Sequence, residues 1–167
     1  FDKIYMFPNS ILTLAEELIS ACKYKGMRIG TAESCTGGLV AGSLTTVPGS
    51  STVFERGFNT YSDQSKNELL GVSLEDIYAF GAVSAEIAAQ MAEGVLNNSP
   101  VNITVAVTGI AGPDGGSPEK PVGTVHIASA YTNGKIRHQQ FLFLGDRQKI
   151  RLDTVEAALN LMLHQVE

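Results

Sequence analysis

Apolar residues recur at helical spacing near the start of the chain. Ile11, Leu14, Ala15, Leu18, Ile19 and Cys22 fall on one face, Pro8, Asn9 and Ser10 open the run, and Gly26 stops it. Cys22, on that face, reads as a small core residue. The pattern then changes period. Met27 to Ala32 predicts a short strand, and Gly37 to Val47 a helix halted by Pro48-Gly49-Ser50. Thr52 to Tyr61 is rich in β-branched and aromatic residues and predicts a strand. Asp63 to Leu70 predicts a short helix ended by Gly71. Ser73-Leu74-Glu75-Asp76 has the capping-box pattern and opens another, and Ser84 opens a third that runs to about Leu96. Asn102 to Val107 is mostly apolar, as expected of a strand in the middle of a sheet. Val122 to Tyr131 and Ile136 to Leu144 predict strands, joined through Asn133-Gly134 as a hairpin. The last helix begins near Asp146 and buries Val155, Leu159, Met162 and Val166.

Helices and strands alternate through two thirds of the chain, and an antiparallel hairpin follows. That order predicts a layered α/β domain with a mixed sheet. Open sheets of this class bind ligands beyond the carboxyl ends of their strands. Two glycine-rich segments follow predicted strands, Glu33 to Gly38 and Thr108 to Gly116, so both are expected on that edge.

Composition narrows the classes. The 167 residues fit one domain, and 44% are hydrophobic. A net charge of −5 argues against a general nucleic-acid binder. No apolar run reaches the length of a membrane span, and the N-terminal FDKIYMF lacks the apolar stretch of a signal peptide. Two cysteines, Cys22 and Cys35, make no disulfide framework; free thiols in a reducing cytoplasm are the expectation. His126, His138 and His164 are scattered, and no cysteine pair has zinc-site spacing, so no metal is expected.

The densest chemistry is the stretch TAESCTGG, residues 31–38, where a strand hands over to a helix. Ser34 is one candidate nucleophile there and Cys35 another. A third reading is a loop that holds an anion on its N–H groups, and the plainest is a tight turn. The segment is neither a Walker A loop nor a dinucleotide fingerprint. A serine needs a base. The histidines lie in strands or near a helix end, whereas Lys66 follows Tyr61-Ser62 at a strand-to-helix turn. Lys66 serves as a base only where burial lowers its pKa; otherwise it is a solvated helix lysine. The long Gly/Pro-rich loop from Gly109 to Lys120 is functional or a mobile crossover. Arg147 opens the last helix against its dipole, which suits an anion contact or a salt bridge.

AESCTGG at 32–38, PGSS and FERGF at 48–58, Tyr61-Ser62 with Lys66, GAVS at 81–84, TGIAGPDGGSPEKPVGTV at 108–125 and GDR at 145–147 occur in one order. Together they resemble the CinA C-terminal domain family, over nearly the whole chain and in its stand-alone form. The resemblance implies one amidohydrolase domain over residues 1–167, built as three α/β/α layers around a mixed, mostly parallel sheet. It implies hydrolysis of nicotinamide mononucleotide to nicotinate mononucleotide and ammonia, in pyridine nucleotide salvage. It also implies a cytoplasmic protein that self-associates and needs no cofactor. Carried over by motif, Ser34 is the nucleophile, Lys66 its base and Tyr61 their neighbour, aiding proton transfer or orientation. Thr36, Gly37, Gly38, Thr108, Gly109 and Arg147 contact the substrate, Gly37 and Gly38 by clearing room for it. Glu33 positions the loop and Cys35 packs away. Two other readings stand beside this one: a non-catalytic nucleotide-binding module with a partner in competence or DNA damage, and a cysteine amidase using Cys35.

Overall fold

The computed structural model describes residues 6–167. Most of the FDKIYMF segment lies outside them. Helix α1 spans Asn9–Lys25 and ends at Gly26. Strand β1 is Ile29–Glu33, α2 Leu39–Thr45, β2 Phe54–Asn59 and α3 Asp63–Leu70. Two further helices follow, α4 Leu74–Phe80 and α5 Ala85–Asn97. Then come β3 Ile103–Gly109, β4 Thr124–Tyr131, β5 Ile136–Leu142 and α6 Arg147–Val166. Serine hydroxyls cap three of the helices, Ser73 and Ser84 as the pattern predicts and Ser62 in addition. Ser62, Ser73 and Ser84 accept from the N–H groups of Ser65, Asp76 and Ile87. Helix α2 starts two residues later than predicted, because Gly37 and Gly38 have φ of 57° and 105°, which no helix continues.

The sheet order is β2-β1-β3-β4-β5. β1 pairs parallel with β2 and β3, β3 antiparallel with β4, and β4 antiparallel with β5. Four strands therefore point one way and β4 alone runs against them, while the four pairings divide evenly.

The two sheet faces differ in side-chain size. Ile29, Ile103, Val105, Val107, Val125 and Ile127 meet α1, α2 and α6 on one face. Gly30, Ala32, Thr104, Ala106, Ala128 and Ala130 alternate with them on the other, where α5 packs. These small residues let α5 approach closely, and Thr104 donates to its Ala92 carbonyl at 2.9 Å. Each large apolar side chain buried in these layers contributes about 1.5–3 kcal/mol.

Candidate active site

The carboxyl ends of β1, β2 and β3 open together. From β1 the chain goes to β2 on one side and later to β3 on the other, so the sheet's crevice falls at the end of β1. A cavity of about 300 Å³ lies there. Ser34 and Cys35 enter it from the end of β1, Tyr61 and Lys66 from beyond β2, Thr108 and Gly109 from the end of β3, and Arg147 from the start of α6. The structure thus brings together six of the nine site residues expected from sequence. Thr36, Gly37 and Gly38 do not line the cavity.

Lys66 is 1% exposed, not a solvated helix lysine. Its Nζ lies 3.1 Å from Ser34 Oγ, 2.7 Å from the Thr60 carbonyl oxygen and 3.3 Å from that of Tyr61. Burial lowers its pKa; the charge of Asp63 opposes that shift. The partners dictate what a neutral amine does here. Carbonyl oxygens only accept, so the two N–H bonds go to Thr60 and Tyr61. The lone pair is left for Ser34, the one partner of the three that has a proton to give. A buried neutral amine aimed at a serine hydroxyl can act as its base.

Glu33 holds the loop from behind. It is 1% exposed. Oε1 accepts from the Thr36 hydroxyl at 2.7 Å and the Val40 N–H at 2.8 Å, and Oε2 from the Ala41 N–H at 3.0 Å. Gly38 caps α2 without a side chain, so Glu33 supplies the oxygens that an N-cap residue would. The α2 end that the sequence offers to an anion is therefore already filled by a carboxylate of the chain itself. The two glycines likewise answer to the backbone. A Cβ at Gly38 would sit 3.2 Å from the Asn59 side chain, in a left-handed conformation, and one at Gly37 would face Arg151. Gly109 is glycine for space, since a Cβ there would meet Val125 Cγ2 at 2.7 Å and Cys35 Sγ at 3.2 Å.

Arg151 grips the same loop from α6. Its Nε donates to the Cys35 carbonyl at 3.0 Å and its Nη2 to that of Thr36 at 3.1 Å. Sequence reasoning missed it. The available signal was its spacing of four from Arg147, which puts both on one face of α6. With carbonyls held by Arg151 and α2 held by Glu33, the N–H groups of Cys35 and Thr36 make no hydrogen bond among the described residues. Of the two residues only Cys35 lines the cavity beside Ser34.

Arg147 donates to the Gly112 carbonyl at 2.7 Å and to the Tyr61 hydroxyl at 3.2 Å. Among the described residues this uses two of its five N–H groups and leaves three. Tyr61 is 66% exposed at the rim, its hydroxyl joined to Arg147. Thr108 donates to the Ala82 carbonyl at 2.8 Å, tying β3 to the turn before α5. Cys35 is 6% exposed, and burial pushes its thiol up to about 12. It is a protonated packing group, which answers the cysteine reading. No histidine lines the cavity. His126 and His138 instead stack across β4 and β5, Nδ1 to Nε2 at 2.9 Å, a pairing not anticipated from their spacing.

The CinA C-terminal domain description matches residues 11–166. The chain belongs to the CinA C-terminal domain family. Among relatives, it is 46% identical to the nicotinamide-nucleotide amidohydrolase PncC of Enterobacter agglomerans, over 91% of this chain and 93% of that one. It is 42% identical to the nicotinamide-nucleotide amidohydrolase PncC of Escherichia coli, over 96% and 97%. Longer family members exist: the chain is 45% identical to one from Caldicellulosiruptor saccharolyticus but spans only 38% of its length. The crystal structure of competence/damage inducible protein CihA from Agrobacterium tumefaciens superposes with a TM-score of 0.97 at 47% identity, covering 98% of this chain and 100% of that one.

Proposed function

We propose that this protein hydrolyses the carboxamide of nicotinamide mononucleotide to nicotinate mononucleotide and ammonia, with Ser34 as nucleophile and Lys66 as its base. The observation that carries the reading is the buried Lys66 amine 3.1 Å from the Ser34 hydroxyl. The two amidohydrolases that match over nearly their whole length support the substrate.

In this mechanism Ser34 Oγ attacks the carboxamide carbon as its proton passes to Lys66 Nζ. The carbonyl oxygen becomes an oxyanion beside the N–H group of Cys35, the residue that lines the cavity next to Ser34. Collapse breaks the C–N bond, and Lys66 returns the proton to the departing nitrogen, so ammonia leaves. An acyl ester on Ser34 remains. Water attacks it, Lys66 takes the water's proton and gives it to Ser34 Oγ, and the carboxylate product is released. The electron-poor pyridinium ring makes the amide carbon unusually open to attack. Arg147 holds the phosphate with its three remaining N–H groups, Tyr61 keeps Arg147 in place, and Thr108 and Gly109 shape the wall facing Ser34. Residues 1–167 act as one amidohydrolase domain in pyridine nucleotide salvage, in the cytoplasm, as a self-associating protein.

Incubation of purified protein with nicotinamide mononucleotide tests the reading. Ammonia and nicotinate mononucleotide are expected in equal amounts. Binding of the mononucleotide with no ammonia released, by folded protein, would favour a binding module instead.

A further inference from the structure

The cavity carries more charge than the dyad uses. Asp63 and Asp114 line it together with Arg147, and none of the three forms an ion pair with a described residue. Two carboxylates and one guanidinium without ionic partners, in one cavity, are the complement of a ligand that bears both signs.

Geometry separates the two carboxylates. Asp63 is in the first turn of α3, three residues before Lys66, so the two side chains are neighbours on one helix surface. Its charge reaches Lys66, where it opposes the effect of burial. Asp114 sits on the Gly-rich loop after β3, the loop whose Gly112 carbonyl holds Arg147. Asp63 is thus the carboxylate on the dyad side of the cavity. It is exposed, and Ser62 rather than Asp63 caps α3, so its charge is not needed to end the helix.

A ligand whose carboxamide carbon stands at Ser34 Oγ has its aromatic ring beside the dyad. In a 3-carboxamide of an N-substituted pyridine, the ring nitrogen is only two ring bonds from the carbon bearing the amide. Its positive charge therefore lies close to Ser34 and Lys66, whatever the tail does. A second cation at Lys66 would repel it. A carboxylate beside Lys66 attracts it.

We infer that Asp63 reads the positive charge of the pyridinium ring, so that the cavity selects N-substituted pyridinium carboxamides with an anionic tail over the same molecules with a neutral ring. The inference rests on the proposed substrate and deepens it: Arg147 takes the anionic end and Asp63 the cationic one.

The test is calorimetric binding of two ligands, nicotinamide mononucleotide and its reduced dihydropyridine form. They share carboxamide, ribose and phosphate, and only the first has a charged ring. The protein is the Ser34→Ala variant, so the ligand is not consumed. Tighter binding of the charged ring by about tenfold is expected, from one carboxylate acting at short range near a protein surface. Adding Asp63→Asn should remove most of that preference, by weakening the charged ligand and leaving the neutral one nearly unchanged. Adding Asp114→Asn instead should alter the preference less. If Asp63→Asn leaves the ratio of the two dissociation constants as it was, or Asp114→Asn changes it as much or more, the assignment to Asp63 is wrong while the proposed substrate stands. If neither ligand binds the Ser34→Ala protein or the native one, the proposed substrate itself fails, and this inference with it.

Discussion

The Lys66 amine stands 3.1 Å from the Ser34 hydroxyl, and the carbonyls of Thr60 and Tyr61 hold its other hydrogen-bonding positions. The first consequence is a pH dependence. The folded pKa of Lys66 lies below its ordinary value because burial penalises the ammonium. In the proposed mechanism the neutral amine is the active form, so kcat/KM should rise with pH through the lowered value and level off above it. Stability follows the same sign. The unfolded chain binds the proton more readily than the folded one, so the cost of burying the ammonium, full below the folded pKa, is relieved as pH climbs toward the ordinary lysine range. Lys66→Arg should lose activity as fully as Lys66→Met, by about a thousandfold or more, since a guanidinium stays charged. Ammonia release measured across pH checks both statements, and an active Lys66→Arg enzyme contradicts them.

Glu33 and Arg151 hold the nucleophile loop from opposite sides, and their replacement should have different signatures. Glu33→Gln trades a buried oxygen acceptor for an amide nitrogen facing a backbone N–H. A loss of about 2 kcal/mol is expected in denaturant unfolding, with activity reduced as well. Arg151→Gln releases the Cys35 and Thr36 carbonyls at a half-buried position. It should lower kcat by about tenfold with little change in KM, because the loop's N–H groups serve the transition state more than the bound substrate. Arg151→Lys should recover part of kcat. Unfolding midpoints and steady-state kinetics on the same preparations separate the two effects. A Glu33→Gln protein as stable as the native one would refute the capping role.

Arg147 should carry the preference for a phosphorylated substrate. Nicotinamide riboside, which lacks the phosphate, should be poor for the native protein, and Arg147→Ala should lose much of the preference for mononucleotide over riboside while riboside turnover changes little. The ratio of kcat/KM for the two substrates, in both proteins, measures this. An unchanged ratio would leave Arg147 as the strut between Gly112 and Tyr61 that its present hydrogen bonds describe.

What could be read from the chain was what is local. Period-two and helical runs, capping serines and the glycines at 26 and 71 placed the elements to within a few residues, because each signal acts over one turn or one strand. The position of the cavity followed from two glycine-rich segments after strands and the rule for open sheets. The long-range facts were not legible. Nothing near Lys66 marks it as buried; α3 packs on α5, and the Lys66 amine meets Ser34, thirty-two residues earlier in the chain. Arg151 looks like any polar helix residue until α6 is laid beside the loop. Thr36, Gly37 and Gly38 also serve the chain's own turn, one through Glu33 and two through their dihedral angles, which the sequence does not show. The His126–His138 pair follows from hairpin register, which brings residue 126 opposite 140 and so diagonal to 138.

The central claim is that Ser34 and Lys66 act as one catalytic unit on the mononucleotide amide. Its most direct test is the rate of ammonia release by the native protein, Ser34→Ala, Lys66→Met and the double variant, each confirmed as folded by circular dichroism. Groups that act as a unit are strongly non-additive. Each single variant should lose about a thousandfold or more, and the double variant should be no slower than the slower single. A Ser34→Ala protein within tenfold of native, or single losses that simply multiply in the double variant, would contradict the account.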